Sequence, residues 1–532
     1  MSACTSWVLR AAMVGILSPL FSTAQAETRA PLSVIDWLDK PAPRAQLPRA
    51  PVKRAPSKPQ KIDEPAVTNS GSAPVVTTRP LGAIAPRNIG LVPPSVTGMK
   101  PDLWAGSDVH QLARTIGALP ELELPAANAL LFTLMLTEVQ APSGGTSASN
   151  ALTRARVEKL MALGVVDPAL ALIEQAGAEK SVGLFDLWAQ LSLLVGTEDT
   201  ACGVLSRASY LTKDPALRIF CDARRGDWEN AALALGSSKA LKLLPPEKLN
   251  LLERFLNPDV FEDAPPLAAP RNMDPLTFRL FETIGEPLPT GPLPRTYAVA
   301  DLRDIAGWKS QIEAAERLTR VGALPDNRLL GLYTDRKASA SGGVWDHVRA
   351  VQHFDTALGT GSADAVAKTL PAAWRQMQQG RLEVSFSTAF HDRLSKIKLS
   401  GNSAVIQARM GLLSPSYETT AMALDAAVPL GRNGALIRAI AKGAPAQTAP
   451  TAALPRAIHD AFVNPTPRPA RIKMAKTQQL GEALLATLEG LHDGANGDSR
   501  ALREALGTLR ALGLEDTARR AALQILLLDH AT

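Results

Sequence analysis

The sequence predicts an all-α protein, a right-handed α-solenoid or superhelix of helical hairpins, on three observations. Beyond Asp102, Ala and Leu recur at helical spacing with hardly any strand-like alternation. Aromatic residues make up only 5% of the chain, and frequent Ala suits helices that pack closely. Short helix-turn-helix signals recur along the chain, as in folds built by stacking helical pairs. The alternative is a large helical domain without repeats, because the signals have no constant period.

Helix ends recur along the chain with the same local signal. Two ten-residue stretches share six positions although they stand far apart, at Leu160–Ala169 and Leu509–Ala518. In each, a glycine (Gly164 or Gly513) is expected to end one helix in the left-handed conformation, which carries no Cβ penalty in glycine. Asp167 and Asp516 follow and are predicted to cap the next helix. A looser third copy surrounds Gly322, so the signal predicts successive helical hairpins.

Composition divides the chain into six predicted segments. They are a signal peptide (1–26), a short amphipathic motif (27–41), a Pro-rich basic disordered linker (42–101), an N-terminal helical repeat region (102–256), a Pro-rich connector with one helix (257–300) and a C-terminal helical region (301–532). The connector separates the two helical regions because its prolines interrupt helices.

The first segment has the pattern of a secretory signal. Arg10 ends a short basic region, an apolar run extends over residues 11–21, and Ala24-Gln25-Ala26 has the small residues of a cleavage site. The apolar run is well short of the roughly 20 residues that span a bilayer, which argues against an uncleaved anchor. We therefore expect cleavage after Ala26 and a periplasmic protein.

The linker is expected to be extended because it combines many prolines with few large apolar residues. Its more apolar end, from Ile84 to Val96, is expected to lie along the body as an arm. Residues 27–101 hold eleven Lys/Arg against five Asp/Glu, which accounts for the whole formal charge of +6. A nucleic-acid-binding domain carries its basic patch on the fold, so the sequence argues against a nucleic-acid partner.

Seven cations and no acid occur between Lys40 and Lys61. This run is expected to contact an anionic envelope polymer or a membrane surface, the alternative being a solvated spacer.

A short apolar motif precedes the linker. Ser33 and Asp36 form a capping pattern, and Pro41 stops the predicted helix. The predicted partner-binding residues are Leu32, Ile35, Trp37 and Leu38. An apolar helix face with a Trp anchor is typical of a segment that engages a groove on a partner. The alternative is that this segment packs on its own body.

Two cysteines remain after the predicted cleavage, Cys202 and Cys221. Each lies in a predicted helix on one side of a break at residues 213–215, so antiparallel helices would bring the two thiols face to face. In an oxidising compartment such a pair predicts a disulfide; the alternative is two buried free thiols.

The stretch from Arg224 to Leu235 resembles the start of a tetratricopeptide-type helix pair, with Gly226 and Asp227 turning into a helix whose Ala231, Ala232 and Leu235 permit close packing. The resemblance covers about thirty residues and lacks the full 34-residue spacing. It implies a related architecture and not a peptide-binding groove. The whole chain is also similar in composition to Ala/Pro-rich helical proteins exported by proteobacteria, which mostly lack an assigned activity.

Catalytic motifs are mostly absent. The sequence has no G-x-S-x-G, no G-x-x-x-x-G-K-[ST] and no H-E-x-x-H. Ser395 and Lys398 match the S-x-x-K motif of the penicillin-binding proteins, and residues 400–402 resemble the second motif of that family. The two motifs lie too close together here to fit the spacing in that family. His347 and His353 are six residues apart on a predicted helix and therefore fall on different faces. The sequence thus predicts no cofactor and no metal site.

Residues 408–421 have the outline of a lytic-transglycosylase motif. Leu413 and Ser414 replace its Met and Gln, and Glu383 is the only carboxylate in the neighbourhood that could serve as a general acid. The sequence therefore predicts a non-enzymatic periplasmic scaffold or adaptor that binds cell-envelope proteins. By analogy it would support an envelope machine such as a flagellar motor or a secretion system. The alternative is a peptidoglycan-active hydrolase with a degenerate or unrecognised site.

Overall fold

A computed structural model describes residues 88–444 and 446–528, all within one compact unit. The predicted signal peptide and the predicted N-terminal motif lie outside the described residues. The described chain is helical, and its only extended pairing consists of two isolated bridges. The prediction of an all-α fold is therefore confirmed for this part of the chain.

The first twelve helices run in chain order through the connector. They are α1 (Pro94–Thr97), α2 (Val109–Ala118), α3 (Pro125–Leu136), α4 (Gly145–Ala162), α5 (Val166–Gln175), α6 (Phe185–Val195), α7 (Glu198–Arg207), α8 (Pro215–Arg224), α9 (Trp228–Ala240), α10 (Pro246–Leu256), α11 (Pro275–Thr283) and α12 (Trp308–Thr319). Short 3₁₀ helices lie at Ala178–Lys180, Ser209–Leu211, Pro258–Phe261 and Arg295–Leu302.

The remaining twelve helices complete the described chain. They are α13 (Asp326–Asp335), α14 (Val344–Thr360), α15 (Ala363–Gly380), α16 (Glu383–Leu394), α17 (Gly401–Leu413), α18 (Tyr417–Ala423), α19 (Gly434–Lys442), α20 (Ala453–Val463), α21 (Pro469–Lys476), α22 (Leu480–Ala495), α23 (Ser499–Ala511) and α24 (Glu515–Leu527). None of the described helices is both long and apolar enough to cross a bilayer.

Helices that follow one another in the chain pack against one another. From α4 to α11 each helix contacts the next, and the same holds from α12 to α20. The Pro-rich connector belongs to this packing, because α11 contacts α6 and the 3₁₀ helix Arg295–Leu302 contacts both α6 and α12. One continuous cluster of buried side chains therefore extends from Ile89 to Leu527.

The last helices also pack against the first. Helix α24 contacts α3, and α22 contacts α2 and α3. The side chain of Gln524 accepts a hydrogen bond of 2.9 Å from the backbone N–H of Ala126. In an open solenoid each repeat contacts only its neighbours, so this contact departs from the simplest form of the predicted architecture.

The repeated helix-ending signal forms the predicted turns. Gly164, Gly322 and Gly513 have φ angles of 82°, 74° and 83°, and each turn is closed by the bonds of a Schellman motif. The predicted capping by the aspartates is wrong. Asp167 and Asp516 lie inside the first turns of α5 and α24, where no side chain caps the helix. A carboxylate there still interacts favourably with the helix dipole.

An extended arm, residues 88–92, lies along the end of α3. Ile89 pairs with Val139 in an antiparallel bridge. Gly90 fits so tightly that a Cβ atom would lie 2.2 Å from the backbone of Glu138. Only glycine avoids this clash, so the arm is held in one register.

Arg156 holds the arm from inside the body. Its buried guanidinium donates to the carbonyl oxygens of Met135 (2.6 Å), Ile89 (2.9 Å) and Thr137 (2.9 Å). Burial lowers the pKa of Arg156 to about 9, so the group remains charged at neutral pH. The guanidinium therefore donates hydrogen bonds both to carbonyl oxygens at the C-terminal end of α3 and to the arm.

The folded body begins earlier than the sequence boundary at Asp102. Residues 88–101 contain the arm and α1 and are packed against the rest of the body; of the arm expected from Ile84 to Val96, residues 88–92 are extended along the body and residues 84–87 lie outside the described residues. Apolar side chains explain the difference, because Ile89 and Met99 are buried in the body although Pro93, Pro94 and Pro101 continue the proline pattern that predicted a linker. Residues 42–87 lie outside the described residues.

Candidate protein-docking surface

The structure joins Cys202 and Cys221 in a disulfide, as the sequence predicted. The bond connects α7 to α8, the Cα atoms lie 4.9 Å apart, and both residues are buried. The other predicted site residues, Leu32, Ile35, Trp37 and Leu38, lie outside the described residues.

Helix α9 follows the disulfide-linked pair and exposes an unusual share of its apolar side chains. Gly226 turns the chain with φ 83°, and the Asp227 carboxylate accepts from the backbone N–H of Asn230 at 3.4 Å, as the predicted helix start requires. Inside α9, only Ala231, Leu235 and Ser238 are buried. The helix also carries apolar residues on its outer face, so α9 exposes apolar surface to solvent, which is energetically unfavourable.

Five large apolar side chains are exposed in this region. They are Trp228 (52%), Leu233 (71%), Leu241 (69%), Leu243 (56%) and Val260 (76%). They lie on α9, in the loop to α10, and in the 3₁₀ helix that follows α10. A single exposed Leu is common on any protein, whereas a contiguous apolar patch indicates an interaction site.

A groove of about 350 Å³ lies between α9 and the end of α10, and Val260 of the five exposed side chains lines it. On α9, Ala232, Gly236 and Lys239 recur at helical spacing along one wall. Leu256, Val260 and Phe261 form much of the other wall. Small residues on one wall and large ones on the other leave room for side chains of a partner. We call the five exposed side chains and this groove the α9–α10 surface.

Three aromatic rings, from α8, α9 and α10, pack together beside this surface. The ring of Phe255 lies 5.6 Å from that of Phe220 in a stacked arrangement and 6.4 Å from that of Trp228. Phe220 stands next to Cys221 in α8, so the disulfide fixes the helix that carries this ring. The surface is therefore built on rigid elements, which favours specific binding.

Two larger cavities include charged side chains in their linings. One, of about 630 Å³, is lined by Glu282, Asp301 and Arg317, among others. Burial raises the pKa of Asp301 even though the Thr290 hydroxyl donates to it. The Glu282 carboxylate pairs with both Arg279 and Arg303. Glu282 is thus held in ion pairs, Asp301 accepts from Thr290, and Arg317 donates to backbone carbonyl oxygens, so the cavity offers few free groups to a ligand.

The other cavity, of about 810 Å³, lies between α10, α11 and the loop that joins them. Lys248 spans its edge and lies 2.8 Å from Asp274. Burial by itself would raise the pKa of Asp274. The charge of Lys248 and the hydrogen bonds from Lys248 and Thr277 outweigh burial, so the pKa of Asp274 is lowered. Asp274 also caps α11 through the backbone N–H of Thr277, which gives the pair a structural role.

The histidines and catalytic candidates are not brought together. His347 Nδ1 lies 2.9 Å from Glu316 Oε1, which also accepts from the buried Tyr333 hydroxyl. His353 is exposed on another face of α14, as the six-residue spacing predicted. Glu383 is buried in the first turn of α16. No group of three His, Cys, Asp or Glu in the described ranges is arranged to hold a metal ion.

Sequence reasoning did not identify the α9–α10 surface. The resemblance to a helix pair suggested that Ala232 packs inside the body, but Ala232 is exposed and lines the groove. The available signal was the run from residue 231 to 236, which is apolar on every face of a helix. A surface helix normally has a polar outer face. No protein-family model, curated protein or solved structure matches this chain.

Proposed function

We propose that the protein is a non-enzymatic scaffold or adaptor of the periplasm that binds other cell-envelope proteins. The observation that carries the proposal is the α9–α10 surface, where five large apolar side chains and a groove face solvent. Burying such a surface in a complex is favourable at roughly 25 cal/mol per Å² of apolar area. The N-terminal motif with Trp37 provides a second contact, and the basic linker a third, to an anionic polymer or membrane.

Helical architecture suits this role. Consecutive helices that pack on one another, as in a right-handed α-solenoid related to tetratricopeptide repeats, present a broad surface on rigid elements. An envelope machine such as a flagellar motor or a secretion system needs accessory proteins that bind several components at once. A partner bound by both the motif and the body would gain from their linkage, because the second contact becomes intramolecular.

Site-specific photocrosslinking in cells tests the proposal. A photoreactive residue replaces Leu233 in the α9–α10 surface, and in a control it replaces Met422, which is equally exposed on α18. We expect one envelope protein to be captured at position 233 and not at position 422. The captured protein is then purified and titrated against the intact protein and a Leu233→Ala/Val260→Ala variant.

Weaker binding to the variant is the expected result. Equal binding of both proteins would show that the α9–α10 surface is not the docking site. Release of soluble fragments from purified cell wall by the protein alone would instead favour a peptidoglycan hydrolase.

A further inference from the structure

The charges around the α9–α10 surface are unevenly compensated. Its neighbouring cations are held by acids of the same chain: Lys239 lies 2.6 Å from Glu253, and Arg254 lies 3.1 Å from Glu286. These ion pairs leave little positive charge for a partner. Lys242 is the remaining exposed cation of this region.

Four exposed carboxylates lie close in sequence to residues of this surface and take part in no ion pair among the described residues. They are Glu229, Asp259, Glu262 and Asp263. We call them the acidic rim. Glu229 lies one turn before Leu233 on α9, and Asp259 and Glu262 flank Val260 and Phe261. Uncompensated negative charge therefore lies next to one groove wall, at Asp259 and Glu262, and on α9 at Glu229.

The backbone around the groove limits what can bind. The residues that line the groove belong to α9, the end of α10 and the 3₁₀ helix Pro258–Phe261, whose backbone groups bond largely within those elements, and no β-strand lies among them. An extended peptide would find no strand edge with which to pair, whereas a helix brings its own backbone bonds. Small residues on the α9 wall, Ala232 and Gly236, allow the close approach of a helix with large apolar side chains.

We propose that the α9–α10 surface docks an amphipathic α-helix of a partner protein whose apolar face is flanked by Lys or Arg. This inference rests on the proposed function and adds the chemistry of the partner. The apolar face would fill the groove beside Leu233 and Val260, and the flanking cations would lie against the acidic rim. Like charges opposite the rim would be disfavoured, so the rim selects among helices that fit the groove.

Two synthetic peptides serve as probes. Both are about 18 residues long, which is enough for a measurable helix, and both carry the same Leu/Trp face. One is flanked by Lys and the other by Glu. Fluorescence anisotropy of each labelled peptide measures its dissociation constant for the protein at low and high salt. We expect the Lys-flanked peptide to bind roughly ten-fold more tightly at low salt and the preference to shrink near 1 M salt, where the Debye length is about 3 Å.

Three variants separate charge from apolar contact. The rim variant is Glu229→Gln/Asp259→Asn/Glu262→Gln/Asp263→Asn. The matched charge control neutralises four exposed acids elsewhere, Glu123→Gln/Asp304→Asn/Asp364→Asn/Glu489→Gln. The apolar variant is Leu233→Ala/Val260→Ala. We expect the rim variant to lose the preference for Lys, the charge control to keep it, and the apolar variant to bind both peptides weakly.

The partner chemistry and the docking surface can each be refuted separately. Equal or tighter binding of the Glu-flanked peptide, or an unchanged preference in the rim variant, overturns the proposed partner chemistry while leaving the docking surface in place. Undiminished binding of both peptides to the apolar variant overturns the docking surface itself. If sedimentation shows that the protein self-associates and that the apolar variant is monomeric, a second copy occupies the surface and the proposed partner is wrong.

Discussion

The indole ring of Trp104 lies directly on the backbone of Gly481. A Cβ atom at position 481 would fall 2.1 Å from Cζ3 of the ring, and Trp104 is completely buried. The backbone N–H of Gly481 also donates to the carbonyl of Leu103 at 3.0 Å. The ring of Trp104 occupies the space that a side chain at position 481 would fill. This contact joins two segments that are nearly four hundred residues apart.

Replacing Gly481 with Ala is therefore expected to destabilise the body. The methyl group would displace Trp104, and overpacking of this kind costs about 1–3 kcal/mol. Urea unfolding followed by circular dichroism measures the change. Gly117→Ala is the matched control, because Gly117 lies within α2 with open space around its Cα. That change should stabilise the protein slightly through helix propensity, and equal stability of the two variants would contradict the packing described.

Loss of the disulfide is expected to lower stability by roughly 3 kcal/mol, since Cys202 and Cys221 close a short loop. Thermal unfolding of the protein with and without reductant checks this value. A Cys202→Ala/Cys221→Ala variant should unfold at the lower temperature under both conditions. An unfolding temperature that reductant does not change in the unmodified protein would show that the bond contributes little.

Arg156→Leu is expected to cost at least about 3 kcal/mol, because three buried carbonyl oxygens would lose their donor. Arg500→Leu is the control. Arg500 is exposed and pairs with Glu504 on the surface of α23, and such a pair contributes about 0.5 kcal/mol. The measurement is denaturant unfolding together with protease cleavage at the arm. Equal losses for the two variants would mean that Arg156 does not hold the arm.

His391 is expected to make the body sensitive to mild acid. Burial lowers its pKa, although Asp392 opposes the shift, and its Nε2 faces the Thr420 hydroxyl at 3.1 Å. Because the folded-state pKa lies below the unfolded value of about 6.5, the unfolded chain binds the proton first. Stability is therefore present above pH 6.5 and is lost as the pH falls below it.

Unfolding curves between pH 7.5 and pH 5 test whether the stability falls with pH in this direction. The unmodified protein should lose more stability than a His391→Gln variant, and His110→Gln, at an exposed position, should behave like the unmodified protein. Identical pH profiles for the unmodified protein and His391→Gln would exclude the histidine as the cause.

Substitutions in the α9–α10 surface are expected to separate binding from stability. Leu233→Ala removes a side chain that is 71% exposed and introduces the best helix former. The free energy of unfolding should change by less than about 0.5 kcal/mol, while partner binding weakens. A large loss of stability would show that Leu233 supports the fold and would remove it from the docking surface.

Most of the correct predictions came from local patterns in the sequence. Helical periodicity predicted the fold class, and Gly164 and Gly513 predicted helix ends because only glycine adopts the left-handed conformation without cost. The disulfide followed from two helices on either side of a turn. Asp167 is not the cap because α5 begins at Val166, directly after the Schellman turn, and the N-cap position therefore falls on Val165, two residues before Asp167.

Relationships between distant segments could not be predicted in this way. Nothing in the local sequence around Trp104 indicates that Gly481 is its partner, because a single Gly leaves no periodic signal. The α9–α10 surface was missed for a related reason: apolar residues on a helix predict burial, and only the positions of the neighbouring helices show that Leu233 has nothing to cover it.

The hydrogen bond between Ala126 and Gln524 also bears on the order in which the body forms. During synthesis, Gln524 in α24 becomes available only 398 residues after Ala126 in α3. Until then the face of α3 that α24 covers must stay in water or be protected by a chaperone. Closing so long a loop slows folding, so completion of the body is one late step. A chain that stops before Glu515 is consequently expected to be degraded rather than to accumulate as a shorter, working protein.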